Sequence, residues 1–208
     1  NDTDISNIVQ SNLLLPLKLL FLAKKYKVKA FINTDTILKK NISFYTLSKF
    51  QFNEWFKAYS NHLYCCNVKI EHFFGPRDNL TKFVIYLIVN ILRKKRISLT
   101  HGNQKRDFIF INDVVRAFEK IILHASKKKK GQDTFEIGTG KSISIKKIAL
   151  LILKITKSDE NLLNFGALRY RKNEPMNIKI NLKKIKSIGW KPIYNIKESL
   201  KKTISYYK

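Results

Sequence analysis

Short apolar segments alternate with longer amphipathic segments along the whole chain. Residues 28–33 and 67–74 are apolar and bounded by polar or turn-forming residues, as buried strands are. Between them, residues 43–59 repeat apolar side chains at helical spacing, and Ser43 can cap this helix. The alternation continues to the C-terminus without an internal repeat. It predicts an α/β fold built around a parallel sheet.

The net charge of +26 by itself suggests a nucleic-acid partner. Nucleic-acid-binding proteins rely on Arg for bidentate contacts and concentrate positive charge on one face. Here only seven of the 41 basic residues are Arg, and Lys is scattered along the chain. The densest Lys run, residues 127–130, falls in a predicted loop. A solvated Lys coat is therefore the favoured interpretation, and no nucleic-acid partner is expected.

Cysteine usage and hydropathy exclude further classes of protein. The two Cys are adjacent, at Cys65 and Cys66, which gives neither a disulfide framework nor metal-ligand spacing. The longest apolar runs, such as residues 83–92, are interrupted by polar residues such as Asn90 and are shorter than the ~20 residues that a membrane span needs. Residues 1–4 are polar and acidic, unlike a secretory signal. We therefore expect a cytoplasmic protein without bound metal or membrane association.

One glycine-containing segment invites a phosphate-binding interpretation. Gly140, Lys141 and Ser142 match the end of the P-loop of nucleotide hydrolases. That loop also needs a glycine five positions before Gly140, where this chain has Phe135. Without that glycine the backbone cannot wrap a phosphate, so a P-loop is excluded.

Tyr45 and Lys49 lie four residues apart in a predicted helix, so their side chains share one face. A neighbouring ammonium group is expected to lower the pKa of the phenol and make it an acid/base near neutral pH. The spacing alone fits an ordinary amphipathic helix equally well. The position of Thr34 favours a catalytic role for this pair. Thr34 lies at the C-terminal end of a predicted strand, the sheet edge where open α/β folds bind ligands. Hydroxyl, phenol and ammonium together suit hydride transfer at a carbinol or ketone carbon.

Five further segments follow in a characteristic order. They are an aromatic-Gly-Pro turn, an Arg-Asp-Phe strand leading into an Asp-Val helix, a Gly-Thr-Gly turn, an Arg-x-x-Glu segment and a Gly-Trp-x-Pro segment, at residues 73–76, 102–115, 135–140, 171–174 and 188–192. With Tyr-x-x-x-Lys, they make the chain resemble the NAD-dependent epimerase/dehydratase family, extended short-chain dehydrogenases that act on nucleotide-sugars. Within that family the chain is similar to synthases of CDP-linked 3,6-dideoxyhexoses, the abequose and paratose type.

The resemblance implies the C-terminal part of a doubly wound, Rossmann-like parallel sheet with a smaller α/β substrate-binding domain. Residues 1–76 would be the remainder of the dinucleotide-binding domain. Residues 77–208 would mainly form the substrate-binding region, with residues around 106–125 returning to the Rossmann domain. The family's Gly-rich cofactor loop has no counterpart before Tyr45. We therefore expect that the N-terminal third of a typical member is missing from this sequence.

The resemblance also implies roles for individual residues. Thr34 would be the catalytic hydroxyl, Tyr45 the acid/base, and Lys49, with Tyr45, would hold the cofactor, NAD or NADP. A nucleotide-diphosphate sugar, CDP-linked if the chain follows the abequose and paratose type, would be bound by Asp35, Asn79, Lys82, Phe83, Arg106, Arg171 and Glu174. The two Arg would clamp the diphosphate. A surface ion pair is the alternative for each of them.

The residues beside Thr34 bear on the type of reaction. Sugar 4,6-dehydratases of the family carry Thr-Asp-Glu where this chain has Thr34, Asp35 and Thr36. Elimination needs an acid and a base beside the Tyr, so the missing Glu argues against dehydration. The resemblance therefore implies 4-ketoreduction or 4-epimerisation in the synthesis of a surface-polysaccharide sugar.

Other interpretations of the whole chain stay open. A truncated pseudoenzyme could bind a sugar-nucleotide or a partner without redox chemistry. A basic nucleic-acid-binding domain is less well supported. Relatives also imply a possible homodimer that forms through helices such as residues 4–25 and 44–59.

Overall fold

The predicted alternation of helices and strands is present in the computed structural model, which describes residues 4–208. A π-helical turn, Gln10–Leu14, joins the first two helices. In chain order the helices and strands are α1 (Ile5–Val9), α2 (Leu15–Lys25), β1 (Ala30–Thr36), α3 (Phe44–Ala58), β2 (Tyr64–Ile70), β3 (His72–Phe74), α4 (Phe83–Leu92), β4 (Ile97–Leu99), β5 (Lys105–Arg106), β6 (Phe108–Phe110), α5 (Ile111–Ala125), β7 (Gly131–Ile137), β8 (Ile143–Ser144), α6 (Ile145–Thr156), β9 (Leu163–Phe165), α7 (Lys183–Ser187) and α8 (Ile196–Tyr207).

The chain divides into two units. Unit 1 comprises Asn1–Ile70, Ala117–Ile137 and Asn181–Trp190, and unit 2 comprises Glu71–Arg116, Gly138–Ile180 and Lys191–Lys208. We expected a domain boundary after residue 76 and a return of residues 106–125 to the Rossmann domain. Both stay predictions about which residues serve the cofactor and which serve the substrate.

Unit 1 is built on a parallel three-stranded sheet with the order β1-β2-β7. The central strand β2 is buried from Tyr64 to Val68, as expected for a strand covered on both faces. Cys65 and Cys66 lie within it, and burial raises the pKa of each thiol to about 12. The expected α/β fold with a parallel sheet is confirmed.

Helices α2 and α3 cover this sheet through an aromatic core. Phe52 and Phe56, one turn apart on α3, are buried and stacked with ring centroids 5.5 Å apart. The rings of Phe31 on β1 and Phe56 meet edge to face, with their centroids 5.6 Å apart. Leu20 of α2 is buried in the same cluster. Burying side chains of this size contributes roughly 1.5–3 kcal/mol each. The packing fixes α3, and with it Tyr45 and Lys49, against β1.

The first helical segment is irregular next to Pro16. The π-helical turn Gln10–Leu14 comes just before it, and α2 begins at Leu15. Proline lacks an N–H group and its ring clashes with the carbonyl four residues earlier. A wider turn at this point accommodates both effects.

Residues Ile5–Lys25 together form a 21-residue helical segment that is long and apolar enough to cross a membrane. The expectation that no segment reaches this length is therefore wrong. It counted a polar residue within an apolar run as an interruption, whereas a spanning helix tolerates isolated polar residues. Length and composition are the only grounds for a span here, and a core helix of a soluble protein passes the same test. Most of this helix is uncovered within the structure.

Unit 2 contains short strand pairs packed against helices. β3 pairs with β6 and β4 with β9 in parallel, and β5 pairs with β8 antiparallel. The core comes mainly from α4, α6 and α8, including Leu87, Ile148 and Leu200, which are fully buried. Asp113, also fully buried, accepts hydrogen bonds from the backbone N–H groups of Ile193 and Tyr194 and so anchors the segment before α8.

Asp133, near the start of β7, gives the stability of unit 1 a dependence on pH. Burial favours its neutral form, but hydrogen bonds from Lys184, Tyr64 and His124 outweigh burial and lower its pKa to about 2. Lys184 and Tyr64 bind this carboxylate closely, and Nε2 of His124 lies 3.1 Å from it. Because the folded pKa lies below the ordinary value of 3.8, the stabilisation is present above about pH 4.

We expect the wild type to lose about 2 kcal/mol of this stabilisation as the pH falls through the pKa of Asp133. Urea unfolding at a series of pH values between about 5 and 2 measures the loss. The Asp133→Asn variant is less stable at neutral pH and shows a shallower decline. Parallel declines in the two proteins would contradict this assignment.

Candidate active site

Helix α3 carries two of the predicted catalytic residues in its first two turns. Ser43 caps the helix: its hydroxyl accepts from the N–H of Thr46, while the Thr46 hydroxyl accepts from the N–H of Ser43. Thr46 and Ser48 are buried. Tyr45 lies on the other side of the helix and is 43% exposed. The cap and the buried side therefore set the direction in which α3 presents Tyr45.

The structure brings Thr34, Tyr45 and Lys49 together at the carboxyl end of β1. The Lys49 ammonium donates to the main-chain oxygen of Thr34 at 3.1 Å and lies 6.0 Å from the centre of the Tyr45 ring. The Thr34 residue is exposed, and its hydroxyl has no hydrogen-bond partner among residues 4–208. The carboxyl edge of a parallel sheet is where α/β folds bind ligands. A phenol, an ammonium and a free hydroxyl thus meet at that edge.

The electrostatics of Tyr45 differ from the expectation that Lys49 would lower the pKa of the phenol. Partial burial, and after it the negative charge of Asp35, raise the pKa of Tyr45. Burial lowers the pKa of Lys49, and Asp35 acts in the opposite direction. The expectation is wrong because it considered the ammonium and left out both burial and the carboxylate. Tyr45 is therefore a protonated phenol at neutral pH.

Asp35 is held by the buried amide of Asn67, which is in turn bound by Asn33, and the sequence analysis missed both residues. Asn33 donates to the side-chain oxygen of Asn67 at 2.7 Å, and Asn67 donates to Asp35 Oδ2 at 2.7 Å. The N–H of Thr36 donates to Asp35 Oδ1, also at 2.7 Å. The signal in the sequence was a polar residue inside each apolar strand. Only the strand register, which sets Asn33 opposite Asn67, shows that the two residues meet.

The residues present fit the nicotinamide end of a dinucleotide. Lys49 uses one donor on Thr34 and retains others for ribose hydroxyls, and Tyr45 lies one helical turn away. The first glycine of the chain is Gly75, so no glycine-rich turn for a pyrophosphate precedes Tyr45 in this sequence. Tyr45 and Lys49 are therefore the residues that would hold the cofactor.

In unit 2, Arg106 and Glu174 form a buried ion pair. The Arg106 guanidinium contacts the Glu174 carboxylate and donates to the main-chain oxygens of Lys105 and Pro175 at 2.7 and 2.6 Å. Only 5% of the Arg106 surface is exposed. Arg171, by contrast, is exposed, and its guanidinium has no hydrogen bond or ion pair within residues 4–208. Of the two predicted diphosphate-binding Arg, Arg171 is thus the one with an uncommitted guanidinium.

The other predicted sugar-binding residues lie around the start of α4. Lys82 pairs with Asp78 at 3.0 Å, and its ammonium lies 3.7 Å from the centre of the Phe73 ring. Asn79 is exposed, and its side-chain oxygen accepts from the N–H and hydroxyl groups of Thr81. Phe83 packs partly buried against the core of unit 2. The local contacts of these three residues are thus structural, and their sugar-binding role stays a prediction.

The Gly-Thr-Gly turn is organised by Asp107, another residue that the sequence analysis did not single out. Its carboxylate accepts from the N–H and hydroxyl of Thr139 and from the N–H of Gly140. Burial nevertheless raises the pKa of Asp107, with these hydrogen bonds acting against it. A Cβ at Gly138 would lie 2.4 Å from Ile180 Cδ1 and 2.9 Å from the Asp107 carboxylate. The glycine therefore permits this close approach.

The comparison with known proteins identifies the family of this chain. Residues 1–138 match the sequence model of the NAD dependent epimerase/dehydratase family. The chain belongs to this family. The expected family membership, the expected enzyme class and the expected NAD-type cofactor are confirmed at the level of the family.

The chain is similar to curated enzymes over nearly all of its 208 residues. It is 34% identical to the CDP-abequose synthase of Salmonella typhimurium over 213 residues, which cover 97% of this chain and 71% of that protein. It is 36% identical to the CDP-abequose synthase of Salmonella muenchen, with 99% of this chain and 72% of that protein covered. Among solved structures, the UDP-glucose 4-epimerase of Thermotoga maritima with UDP-glucose matches with a TM-score of 0.88 at 22% identity, covering 99% of this chain and 72% of that one. The expected Rossmann-like fold is thereby confirmed.

Proposed function

We propose that this family member is an NAD(P)-dependent 4-ketoreductase of a CDP-linked sugar, which transfers hydride at the sugar C4. The identity of 34–36% to CDP-abequose synthases over almost the whole chain is the observation that carries this proposal. The absence of a Glu at position 36, where Thr36 stands, also favours hydride transfer over dehydration. Epimerisation at C4 by the same residues is the alternative reaction.

The state of Tyr45 supports reduction as the direction of the reaction. Partial burial and Asp35 raise the pKa of the phenol, so at neutral pH it carries the proton that a ketone oxygen needs. The nicotinamide, when bound, supplies the hydride. Tyr45 gives its proton to the C4 oxygen, the carbonyl becomes an alcohol, and the resulting phenolate recovers a proton from solvent. Lys49 stabilises the phenolate, and the Thr34 hydroxyl orients the C4 oxygen.

On the substrate side, Arg171 is proposed as the first contact of the diphosphate, because its guanidinium is uncommitted. Arg106 can bind the diphosphate only if phosphate oxygens replace Glu174, its present partner. Asp35, Asn79, Lys82 and Phe83 remain proposed sugar-binding residues.

The exposed apolar side chains of α2 and α3 support a homodimer. Leu15 and Leu19 on α2 are each about half exposed, and Phe44 and Leu47 on α3 are exposed as well. A second copy of the chain would cover this face. We expect Leu15→Lys with Leu19→Lys to halve the mass in sedimentation equilibrium. Leu123→Lys, an equally exposed position on α5, serves as the control. A dimeric double variant would contradict this interface.

The function is tested by following the oxidation of NADPH or NADH with the 4-keto form of a CDP-linked 3,6-dideoxyhexose. Stoichiometric oxidation with formation of the C4 alcohol supports the ketoreductase. Conversion of UDP-glucose to its C4 epimer, without net oxidation of the cofactor, would replace it with the epimerase. Binding of the nucleotide-sugar without either reaction would indicate a pseudoenzyme.

A further inference from the structure

A chain of polar side chains runs through the sheet of unit 1 and ends at the candidate active site. Asn33 of β1 and Asn67 of β2 are directly opposite each other in the parallel register. Side chains two apart on a strand share a face, so Asn33 and Asp35 lie on the same side of β1. Asn67 bridges these two residues, accepting from Asn33 and donating to Asp35, each at 2.7 Å.

The position of Asn67 is an unusual one for an amide. It is fully buried between Cys66 and Val68, in the most buried strand of the sheet. Its partner Asn33 is also buried, with 8% of its surface exposed. Burying an amide costs roughly 1–3 kcal/mol unless it is hydrogen-bonded, and an apolar pair would fill this space without that cost. Stability alone therefore does not favour two asparagines here.

The orientation of the amides indicates their effect. A carboxylate has no hydrogen to donate, so Asp35 can only accept, and Asn67 must direct its NH₂ group toward it, as the N–H of Thr36 also does. This sets Asn67 with its oxygen toward Asn33, which must then donate. Both amide dipoles consequently point their positive ends toward the carboxylate, and each hydrogen bond strengthens the next.

The carboxylate fixed in this way influences the titration of both functional groups of α3. The negative charge of Asp35 acts to raise the pKa of Tyr45 and also that of Lys49. Of the charged groups in the part of the chain that the structure describes, Asp35 on β1 and Lys49 on α3 are those that act on or lie close to the Tyr45 ring. The orientation of one carboxylate therefore influences the pKa of the Tyr45 phenol and of the Lys49 ammonium together.

We propose that Asn67, supported by Asn33, is a positioning residue that fixes the Asp35 carboxylate in one orientation relative to Tyr45 and Lys49. The proposal rests on the proposed function only in treating Tyr45 as the acid. The positioning itself is measurable without substrate or cofactor.

The test is a double-mutant cycle read out at Tyr45. The protein is labelled with tyrosine carrying ¹³C at the ring carbon that bears the hydroxyl, and Tyr45→Phe assigns the signal. The titration of Tyr45 is then followed in the wild type, Asp35→Asn, Asn67→Leu and the double variant. Asp35→Asn is expected to lower the pKa of Tyr45, because it removes a negative charge that raises it. In the Asn67→Leu background the same substitution is expected to lower it by roughly half as much or less.

Asn53→Leu provides the matched control. Asn53 lies on α3, its side-chain oxygen is buried without a partner among the described residues, and it makes no hydrogen bond to Asp35. Asp35→Asn should lower the pKa of Tyr45 in the Asn53→Leu background as much as in the wild type. If Asn67→Leu does not fold, Asn67→Ser takes its place, because its short hydroxyl side chain does not span the distance to Asp35.

An equal effect of Asp35→Asn with and without Asn67 would overturn the proposal, whether or not the enzyme reduces a sugar. A reduced effect in the Asn67 background alone supports it. In that case the pH profile of kcat should show its Tyr45-dependent inflection displaced in Asn67→Leu and unchanged in Asn53→Leu. If the titrations show the reduced effect but the wild-type chain does not reduce the sugar, the proposed function fails and the positioning stands.

Discussion

Tyr45→Phe is expected to reduce kcat by about 10²–10⁴-fold, the contribution usually made by a positioned proton donor. Phe retains the aromatic ring and the exposed position of Tyr45 on α3, and removes only the hydroxyl. The C4 oxygen would then have to take its proton from water. Binding of the nucleotide-sugar, measured by calorimetry, should change little, because the proposed diphosphate contacts belong to Arg106 and Arg171.

Tyr59→Phe is the matched control for this prediction. Tyr59 follows α3 directly, and its ring contacts His62 and the Lys24 ammonium. Removing its hydroxyl should leave kcat within a factor of about 2 of the wild type. An active Tyr45→Phe enzyme would show that another group delivers the proton, and the assignment of Tyr45 as the acid would fail.

Arg106→Met is expected to reduce the free energy of unfolding by about 3 kcal/mol. The substitution removes the cation from a buried pair and leaves the Glu174 carboxylate, whose side chain is only 17% exposed, without its partner. It also leaves the main-chain oxygen of Pro175 without its donor. Urea unfolding followed by circular dichroism measures the change.

Two variants separate the charge from the packing in this prediction. Lys105→Met, at the exposed neighbouring position, should cost less than about 0.5 kcal/mol. Arg106→Met combined with Glu174→Gln should recover part of the loss, because no unpaired charge is then buried. Additive effects of the two substitutions would mean that the ion pair contributes little to stability.

The sequence predicted the longer elements because their side chains repeat over several turns. Helix α3, expected over residues 43–59, spans Phe44–Ala58. Short elements were missed. Strand β8 has two residues and helix α7, Lys183–Ser187, has five, and neither is long enough for a repeating pattern of apolar side chains to be recognised. The pattern of residues 67–74 predicts one strand, but the chain forms two strands that are separated at Glu71.

The same contrast holds for the site. Thr34, Tyr45 and Lys49 are near one another in sequence, so helical spacing and strand order were enough to group them. Asn67 is 32 residues from Asp35, and only the pairing of β1 with β2 brings them together. The direction of the Tyr45 pKa shift likewise depends on burial and on Asp35, which no spacing rule contains.

The two buried thiols of β2 have a practical consequence for experiments on this protein. With a pKa of about 12, Cys65 and Cys66 have a thiolate fraction of roughly 10⁻⁵ at neutral pH, too small for appreciable reaction with maleimides. A cysteine introduced at an exposed position can therefore carry a fluorescent or spin label while the native pair stays in place. Distance measurements on the intact chain need no cysteine-free background, and the central strand keeps its packing.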